Sequence, residues 1–242
     1  MRLAIDFATE GELPLAYRLL AISILKEAVK AGGGEAYNKV YVDGAKMPKP
    51  YTFAVRFLGQ FEVQQVDVVK TNGFRLLVSS SDYEFLIPLL NGLQNQRIFQ
   101  YQTYRFTRQS IQFLREVETD KSVIIVHTLS PVLIQDKYDR PLAPDDLSYN
   151  VNLTGIMNGI LQSHLERRLY QPLCITPVNS KKTVIKEKYD KSDHHRTIFF
   201  TAYGGVFQIE GHPADLNYVL MYGLGLRSSQ GFGMLELVKV VK

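Results

Sequence analysis

The chain has 242 residues, of which 45% are hydrophobic and 21% are charged, a composition typical of a soluble globular protein with one large domain or two smaller ones. The net charge of +4 and the pI near 9.0 favour an anionic partner, and the basic residues are spread over both halves, which excludes a basic tail. The single cysteine, Cys174, excludes an intrachain disulfide, and no apolar run approaches the roughly 18 residues of a membrane span. We therefore expect a cytoplasmic protein without membrane contact.

The first half of the chain predicts seven elements. Apolar residues recur every three or four positions over 15–31, which indicates a helix that ends at Gly32-Gly33-Gly34. A second helix over 82–93 is weakened by Pro88. Runs of apolar and β-branched residues predict strands at 3–7, 51–59, 73–81, 100–108 and 111–118. The order β-α-β-β-α-β is that of a ferredoxin-like unit.

The second half repeats this order. A strand is predicted at 122–129, followed by a long helix within 145–170 that Asp145 or Asp146 would cap. The segments 181–188 and 196–210 predict a hairpin around a charged turn, 214–223 predicts a helix that ends on glycine, and 232–241 predicts the last strand. We therefore predict an α+β fold of two tandem ferredoxin-like domains, 1–119 and 120–242.

The segment before the last strand, GLGLRSSQGFG at 223–233, combines four glycines with one arginine, two serines and one glutamine. Backbone N–H groups beside Arg227 could cradle a phosphate. The alternative is a tight turn whose glycines only let two elements pack. The residues alone leave both interpretations open.

This segment resembles the C-terminal signature of the CRISPR-associated endoribonucleases that cut repeat RNA, within the repeat-associated mysterious protein superfamily. That signature is Gly-x-Gly, five residues with at least one basic, then Gly-x-Gly, and here it is complete. Two other stretches are similar to the family: LPLAYRLLAISILKEAV followed by KPYTFAVRF, and LSPVLIQDKYDRPLAPDDLSYNVNLTGIM. The resemblance implies that the partner is repeat RNA, with further CRISPR subunits and a second copy of the chain as additional partners. It also implies RNA contacts from Gly223, Gly225, Arg227, Ser228, Ser229, Gln230, Gly231 and Gly233.

The resemblance implies a reaction without metal or other cofactor. The RNA 2′-hydroxyl attacks the adjacent phosphorus and leaves a 2′,3′-cyclic phosphate, which requires a base, an acid and positive charge. Many family members carry a histidine after the first helix, often two residues after a tyrosine. This chain has no histidine there, and alignment on the next strand sets Lys39 at that position with Tyr37 beside it.

Lys46 and Lys49 follow in the same segment, so Lys39, Tyr37, Lys46 and Lys49 are the predicted catalytic residues. We expect neighbouring lysines and partial burial to lower the pKa of Lys39 from its usual value of about 10.4. The alternative is a glycine-rich connector with solvated lysines.

The hairpin turn carries a second group of basic residues. Lys186, Lys188 and Lys191 would either grip RNA phosphates or lie solvated on an exposed hairpin. Asp193, His194 and His195 are adjacent, and because neighbouring side chains diverge and only one thiol is present, we expect no metal site.

Three functions are compatible with these features. The first is a repeat-RNA endoribonuclease. The second is a protein of the same fold that binds repeat RNA without cutting it, which the missing histidine favours. The third is an unrelated ferredoxin-like protein with a small-molecule or structural role, against which the complete glycine signature argues.

Overall fold

A computed structural model describes residues 1–64, 68–191 and 194–241, apart from the side chains of 64, 188–191 and 194–196. Contacts between residues group the chain into two compact units, Met1–Arg115 and Glu116–Lys242. No helix within the described residues is long and apolar enough to cross a membrane.

The N-terminal unit is built on an antiparallel sheet in the order β3-β6-β1-β8-β7, with a small second sheet in the order β2-β5-β4. The strands β3, β6, β1 and β8 form the four-stranded pattern of a ferredoxin-like domain, and β7 extends it at one edge. The strands are β1 (Arg2–Thr9), β2 (Glu12–Pro14), β3 (Thr52–Phe57), β4 (Glu62–Gln64), β5 (Val68–Lys70), β6 (Gly73–Ser79), β7 (Ile98–Tyr101) and β8 (Tyr104–Leu114). The helices are α1 (Tyr17–Gly32), α2 (Gly34–Tyr37), a π-helical segment (Asn38–Asp43) and α3 (Tyr83–Asn95).

The core of this unit lies between the large sheet and the helices α1 and α3. Leu20, Ile24 and Leu25 on α1 are buried with Phe85 and Leu89 on α3. Burying a side chain of this size contributes about 1.5–3 kcal/mol. The carboxylate of Asp82 caps α3 by accepting the N–H groups of Glu84 and Phe85, and the helix continues through Pro88.

The C-terminal unit has one antiparallel sheet in the order β10-β11-β9-β12, which is the same ferredoxin-like pattern. Its elements are β9 (Val123–Thr128), α4 (Tyr149–Leu165), β10 (Cys174–Lys191), β11 (His194–Glu210), α5 (Pro213–Tyr222), a 3₁₀ turn (Ser228–Gln230) and β12 (Leu235–Val240). The predicted fold class, α+β with two tandem ferredoxin-like domains, is confirmed.

A buried carboxylate ties α5 to the chain that follows α4. Asp215, in the first turn of α5, has no exposed surface and accepts a hydrogen bond from the Arg167 guanidinium at 2.7 Å. Its second oxygen accepts the N–H of Tyr170 at 2.8 Å, and the Arg167 guanidinium lies 4.3 Å from the Tyr170 ring centroid. Because both carboxylate oxygens have donors, the buried charge is compensated.

The structure corrects several predicted elements. The segment after Gly34 is helical over 34–43 and is not an open connector. The strand predicted over 100–108 is wrong, because the chain turns between Tyr101 and Tyr104 and then continues as one strand to Leu114. The small sheet of β2, β4 and β5 was not predicted.

The predicted cap of the long helix is also wrong. Helix α4 begins at Tyr149, and Ser148 is its N-cap residue. The Asp146 carboxylate instead accepts the backbone N–H of Ser148 at 2.8 Å and its hydroxyl at 2.7 Å. Asp146 therefore stabilises the turn before the helix.

Candidate nucleic-acid interface and active site

The glycines of the segment 223–233 are buried and adopt left-handed backbone conformations. Their φ angles are 90° at Gly223, 82° at Gly225, 81° at Gly231 and 71° at Gly233. A Cβ atom at Gly225 would lie 2.7 Å from the Leu133 carbonyl oxygen, and one at Gly233 would lie 2.0 Å from the carbonyl oxygen of Leu224. At Gly225 and Gly233 the close approach is therefore to the backbone of the same unit.

Three backbone hydrogen bonds hold this glycine-rich loop. The N–H of Leu224 donates to the carbonyl of Gly233, the N–H of Leu226 donates to Leu133, and the N–H of Gly233 donates to Pro131, each at 2.9 Å. These bonds fix both ends of the loop, so its central residues are presented on a rigid base.

The centre of the loop lies at the surface. Arg227 has a left-handed conformation, with φ 59°, and precedes the 3₁₀ turn of Ser228–Gln230. Its guanidinium donates to Gln230 Oε1 at 2.8 Å and lies 4.7 Å from the Phe200 ring centroid. Within the described part of the chain, the backbone N–H groups of Arg227, Ser228 and Ser229 donate no hydrogen bond. Three successive N–H groups beside a guanidinium are an arrangement suited to anions.

The glycine-rich loop packs against the long β10–β11 hairpin. Phe232 and Leu226 of the loop pack into a small apolar cluster with Ile185 and Phe200 of the hairpin, and the Phe200 and Phe232 rings meet edge-on at 5.7 Å. The two segments that the sequence marks as candidate RNA contacts are thus neighbours in one unit. Only the tertiary structure shows this proximity.

The hairpin lysines are described to different extents. Lys186 is half-buried and pairs in register with Phe199. Lys188 and Lys191 pair in register with Thr197 and His194, and their side chains lie outside the described atoms.

Asp193 lies outside the described residues, as do the side chains of His194 and His195. The described residues contain no group of three or more His, Cys, Asp or Glu side chains arranged to hold a metal ion.

Lys39 lies on the side of its helical segment that faces α3. Its ammonium forms an ion pair with the Glu84 carboxylate, and both side chains are 68% exposed. The hydrogen bond and charge of Glu84, supported by Asp82 and Glu35, raise the pKa of Lys39 above its ordinary value. The expected lowering of this pKa is therefore wrong, because carboxylates surround Lys39 where lysines were expected.

A cavity of about 460 Å³ adjoins this ion pair. Its lining residues come from the helical segment and from the start of α3, namely Glu35, Ala36, Lys39, Tyr83, Glu84, Ile87 and Pro88. Because two of these residues are glutamates and one is a lysine, the cavity is a poor site for a phosphate.

Tyr37 is not beside Lys39. Residues two apart on a helix point to opposite sides, and Tyr37 instead contacts Tyr41, with ring centroids 5.3 Å apart. The Tyr41 hydroxyl bonds to the Tyr51 hydroxyl at 3.0 Å. Burial raises the pKa of Tyr51 to about 12 and raises that of Tyr41 well above its ordinary value. Both phenols therefore stay protonated at neutral pH and can donate hydrogen bonds.

A lowered pKa was expected for Lys39 and is found instead at Lys49. Burial, with the nearby charge of Lys26, lowers its pKa below the ordinary value. Its ammonium donates to the carbonyl oxygens of Gly44 and Met47. Lys46 is exposed to solvent.

Comparison with known protein families identifies one match. The family model described as CRISPR associated protein Cas6, C-terminal, matches residues 114–237, just over half of the chain. The chain belongs to the Cas6 family. Comparison with curated protein sequences gives no significant match.

Solved structures share the fold over both units of this Cas6-family chain. A protein described as the product of a Cas6-related gene from Pyrococcus furiosus superposes with a TM-score of 0.78 at 19% identity, covering 99% of this chain and 98% of its own. A RAMP protein described as binding different RNA substrates gives 0.79 at 16% identity, with 99% and 100% covered. A Thermus thermophilus Cas6 product complex gives 0.65 at 13% identity, with 98% and 99% covered. At these identities the likeness shows the fold alone.

Sequence reasoning missed four residues around Tyr37 in this Cas6-family chain: Lys26, Lys30, Tyr41 and Tyr51. The Lys26 ammonium lies 5.4 Å from the Tyr41 ring centroid, and the Lys30 ammonium lies 5.9 Å from that of Tyr37. The sequence does contain a pattern that points to them, because Lys26 and Lys30 are four residues apart, as are Tyr37 and Tyr41. Helical spacing past Gly34 would have shown that each pair shares a face.

Proposed function

We propose that this Cas6-family chain binds CRISPR repeat RNA and cleaves it to produce guide RNAs. The observation that carries the proposal is the glycine-rich loop, in which buried glycines present Arg227 and the N–H groups of Arg227, Ser228 and Ser229 at the surface. Phosphodiester oxygens are the acceptors that such donors suit. The adjoining hairpin supplies Lys186, and the predicted roles of Lys188 and Lys191 belong to the same proposal.

The proposed cleavage uses the RNA's own 2′-hydroxyl as nucleophile. A base removes its proton, the oxygen bonds to phosphorus, the bond from phosphorus to the 5′-oxygen breaks, and an acid protonates the leaving oxygen. The products are a 2′,3′-cyclic phosphate and a 5′-hydroxyl, and no metal ion is required. The phosphorane carries extra negative charge, which ammonium groups and hydroxyl donors stabilise.

Among the predicted catalytic residues, Lys49 has the strongest support as the base. Its lowered pKa increases the fraction of neutral amine at a given pH. Its charge neighbour, Lys26, lies over the ring of Tyr41, whose hydroxyl bonds to that of Tyr51, so protonated phenols lie in the same cluster. Tyr37, in ring contact with Tyr41, is the second predicted residue on this side.

Lys39 and Lys46 stay predictions with weaker support. The raised pKa of Lys39 keeps it protonated, so it could supply positive charge or an acid but is a poor base. A phosphate would also have to displace Glu84 from it.

Single-turnover cleavage of labelled repeat RNA in EDTA tests the proposal. We expect cleavage with a cyclic phosphate end, and we expect a 2′-deoxy residue before the cut to block cleavage while preserving binding. Lys49→Ala should slow the reaction by about 10²–10⁴-fold, the usual cost of losing an acid–base group. Lys70→Ala, an exposed lysine on β5, is the matched control and should cut at the wild-type rate.

The comparison of Lys49→Ala with Lys39→Ala decides between the two lysines. Loss of activity in Lys39→Ala with wild-type activity in Lys49→Ala would restore the role predicted from sequence alignment. Tight binding of repeat RNA without any cleavage would favour the second function, a binding protein of the same fold, which the absence of histidine after α1 supports. Absence of both binding and cleavage would refute the proposal.

A further inference from the structure

Two exposed lysines on α1 lie above the tyrosine pair of the neighbouring helical segment. Lys26 and Lys30 are one turn apart on the same side of α1, about 6 Å along its axis. Each ammonium lies over one ring, with Lys26 5.4 Å from the Tyr41 centroid and Lys30 5.9 Å from that of Tyr37. Such contacts are worth about 0.5–1 kcal/mol at exposed sites, so they orient the ammonium groups weakly without neutralising them.

A third lysine from a different segment joins this group. The two tyrosine rings contact each other at 5.3 Å, which brings the two ammonium positions together. Lys49, on the segment before β3, is near enough to Lys26 for the two charges to repel. Cations from α1 and from this later segment therefore converge on one side of the helical segment 34–43.

Neither Lys26 nor Lys30 forms an ion pair with a carboxylate in the part of the chain that the structure describes. The nearest acidic neighbour in sequence, Glu27, accepts a hydrogen bond from Gln96. The position of Lys30 in the last turn of α1 is favourable for the helix dipole, but Lys26 lies one turn earlier, where that effect has decayed.

The opposite side of the same helical segment is acidic. Glu35, Asp82 and Glu84 surround Lys39 there and raise its pKa. The segment 34–43 thus separates an acidic side from a basic and aromatic side. A polyanion would be repelled from the acidic side and attracted to the basic and aromatic one.

We propose that Lys26 and Lys30, above the rings of Tyr37 and Tyr41, form a binding site for the phosphodiester backbone of the repeat RNA. The inference rests on the proposed function and adds a contact surface on α1 that the glycine signature does not indicate. The site takes two phosphates of a single strand, one at each ammonium. It lies beside Lys49, so it would hold the RNA chain next to the proposed base.

The salt dependence of RNA binding tests this site. A single-stranded repeat RNA with a 2′-deoxy residue before the cut is titrated into wild-type protein, Lys26→Ala/Lys30→Ala and the single-charge control Lys70→Ala. Each lost phosphate contact reduces the slope of log K against log salt by about 0.7, so the double variant should lose about 1.4. As the salt concentration rises from about 50 to 200 mM, the ratio of the wild-type binding constant to that of the double variant should therefore fall roughly sevenfold.

The outcomes separate this inference from the proposed function. Failure of wild-type protein to bind the RNA would refute both. Wild-type binding with an unchanged slope in the double variant would refute the lysine site alone. Lys26→Gln/Lys30→Gln repeats the test with longer side chains, and a slope equal to that of wild type in this variant would likewise overturn the site. A slope loss in Lys70→Ala matching that per removed lysine would show that the effect is only one of net charge.

Discussion

Replacing Gly233 by alanine should destabilise the C-terminal unit strongly. A residue with a Cβ atom costs about 1–2 kcal/mol at the left-handed φ of 71° that Gly233 adopts. The new Cβ would also lie 2.0 Å from the Leu224 carbonyl oxygen, so the loop must open. Opening it removes the hydrogen bond from the Leu224 N–H to Gly233, worth about 1 kcal/mol. The total is about 2–3 kcal/mol.

Thermal melting of the full chain measures this effect. For a unit of this size, about 2–3 kcal/mol should lower the melting temperature by roughly 7–11 °C. Gly155→Ala in the same unit is the matched control, because nothing lies within 4 Å of a Cβ built on Gly155 in α4. There alanine should stabilise the helix by about 0.5–1 kcal/mol. The same substitution of glycine by alanine should therefore lower the stability at position 233 and raise it at position 155.

RNA binding decides what the loop glycines do. If the glycines serve only to let the loop pack, then Gly233→Ala, measured well below its melting temperature, should lose RNA affinity only in proportion to the fraction of molecules whose loop has opened. A variant that melts like wild type but no longer binds RNA would refute this reasoning. It would show that the ligand itself needs the missing Cβ.

Two further predictions concern charge. Arg227→Ala should weaken RNA binding and reduce the slope of log K against log salt by about 0.7, without lowering the melting temperature. Lys239→Ala on β12 is the control and should leave this slope unchanged. An unchanged slope in Arg227→Ala would mean that this guanidinium contacts no phosphate. The Arg75 guanidinium donates to both carboxylate oxygens of Asp6, at 2.7 and 2.8 Å, and lowers the pKa of Asp6 below its ordinary value of 3.8. That pair therefore stabilises the fold above the pKa of Asp6 in the unfolded chain, and its contribution is lost as pH falls through the pKa of Asp6 in the folded chain. Urea unfolding should show that the free energy of unfolding falls at acid pH in wild type and falls less in Asp6→Asn. Equal decreases in the two proteins would contradict this prediction.

Local sequence patterns predict most of the fold. The apolar spacing of α1 and the alternation in the strands give the order β-α-β-β-α-β in both halves, because hydrophobic periodicity reports directly on which face is buried. The helical segment after Gly34 was missed because three glycines indicate a helix end. Short helices are marginal in water and are held by tertiary packing, and here Ala36, Tyr37, Val40 and Tyr41 pack against the core.

The sequence by itself determined the order of the main helices and strands in both halves and the complete glycine signature, since both depend on neighbouring residues along the chain. Only the tertiary structure decided the environments of the lysines. It paired Lys39 with Glu84, 45 positions away in the chain, and brought Lys49 near Lys26. The charge around a side chain depends on which distant elements pack beside it, and no local pattern specifies those neighbours.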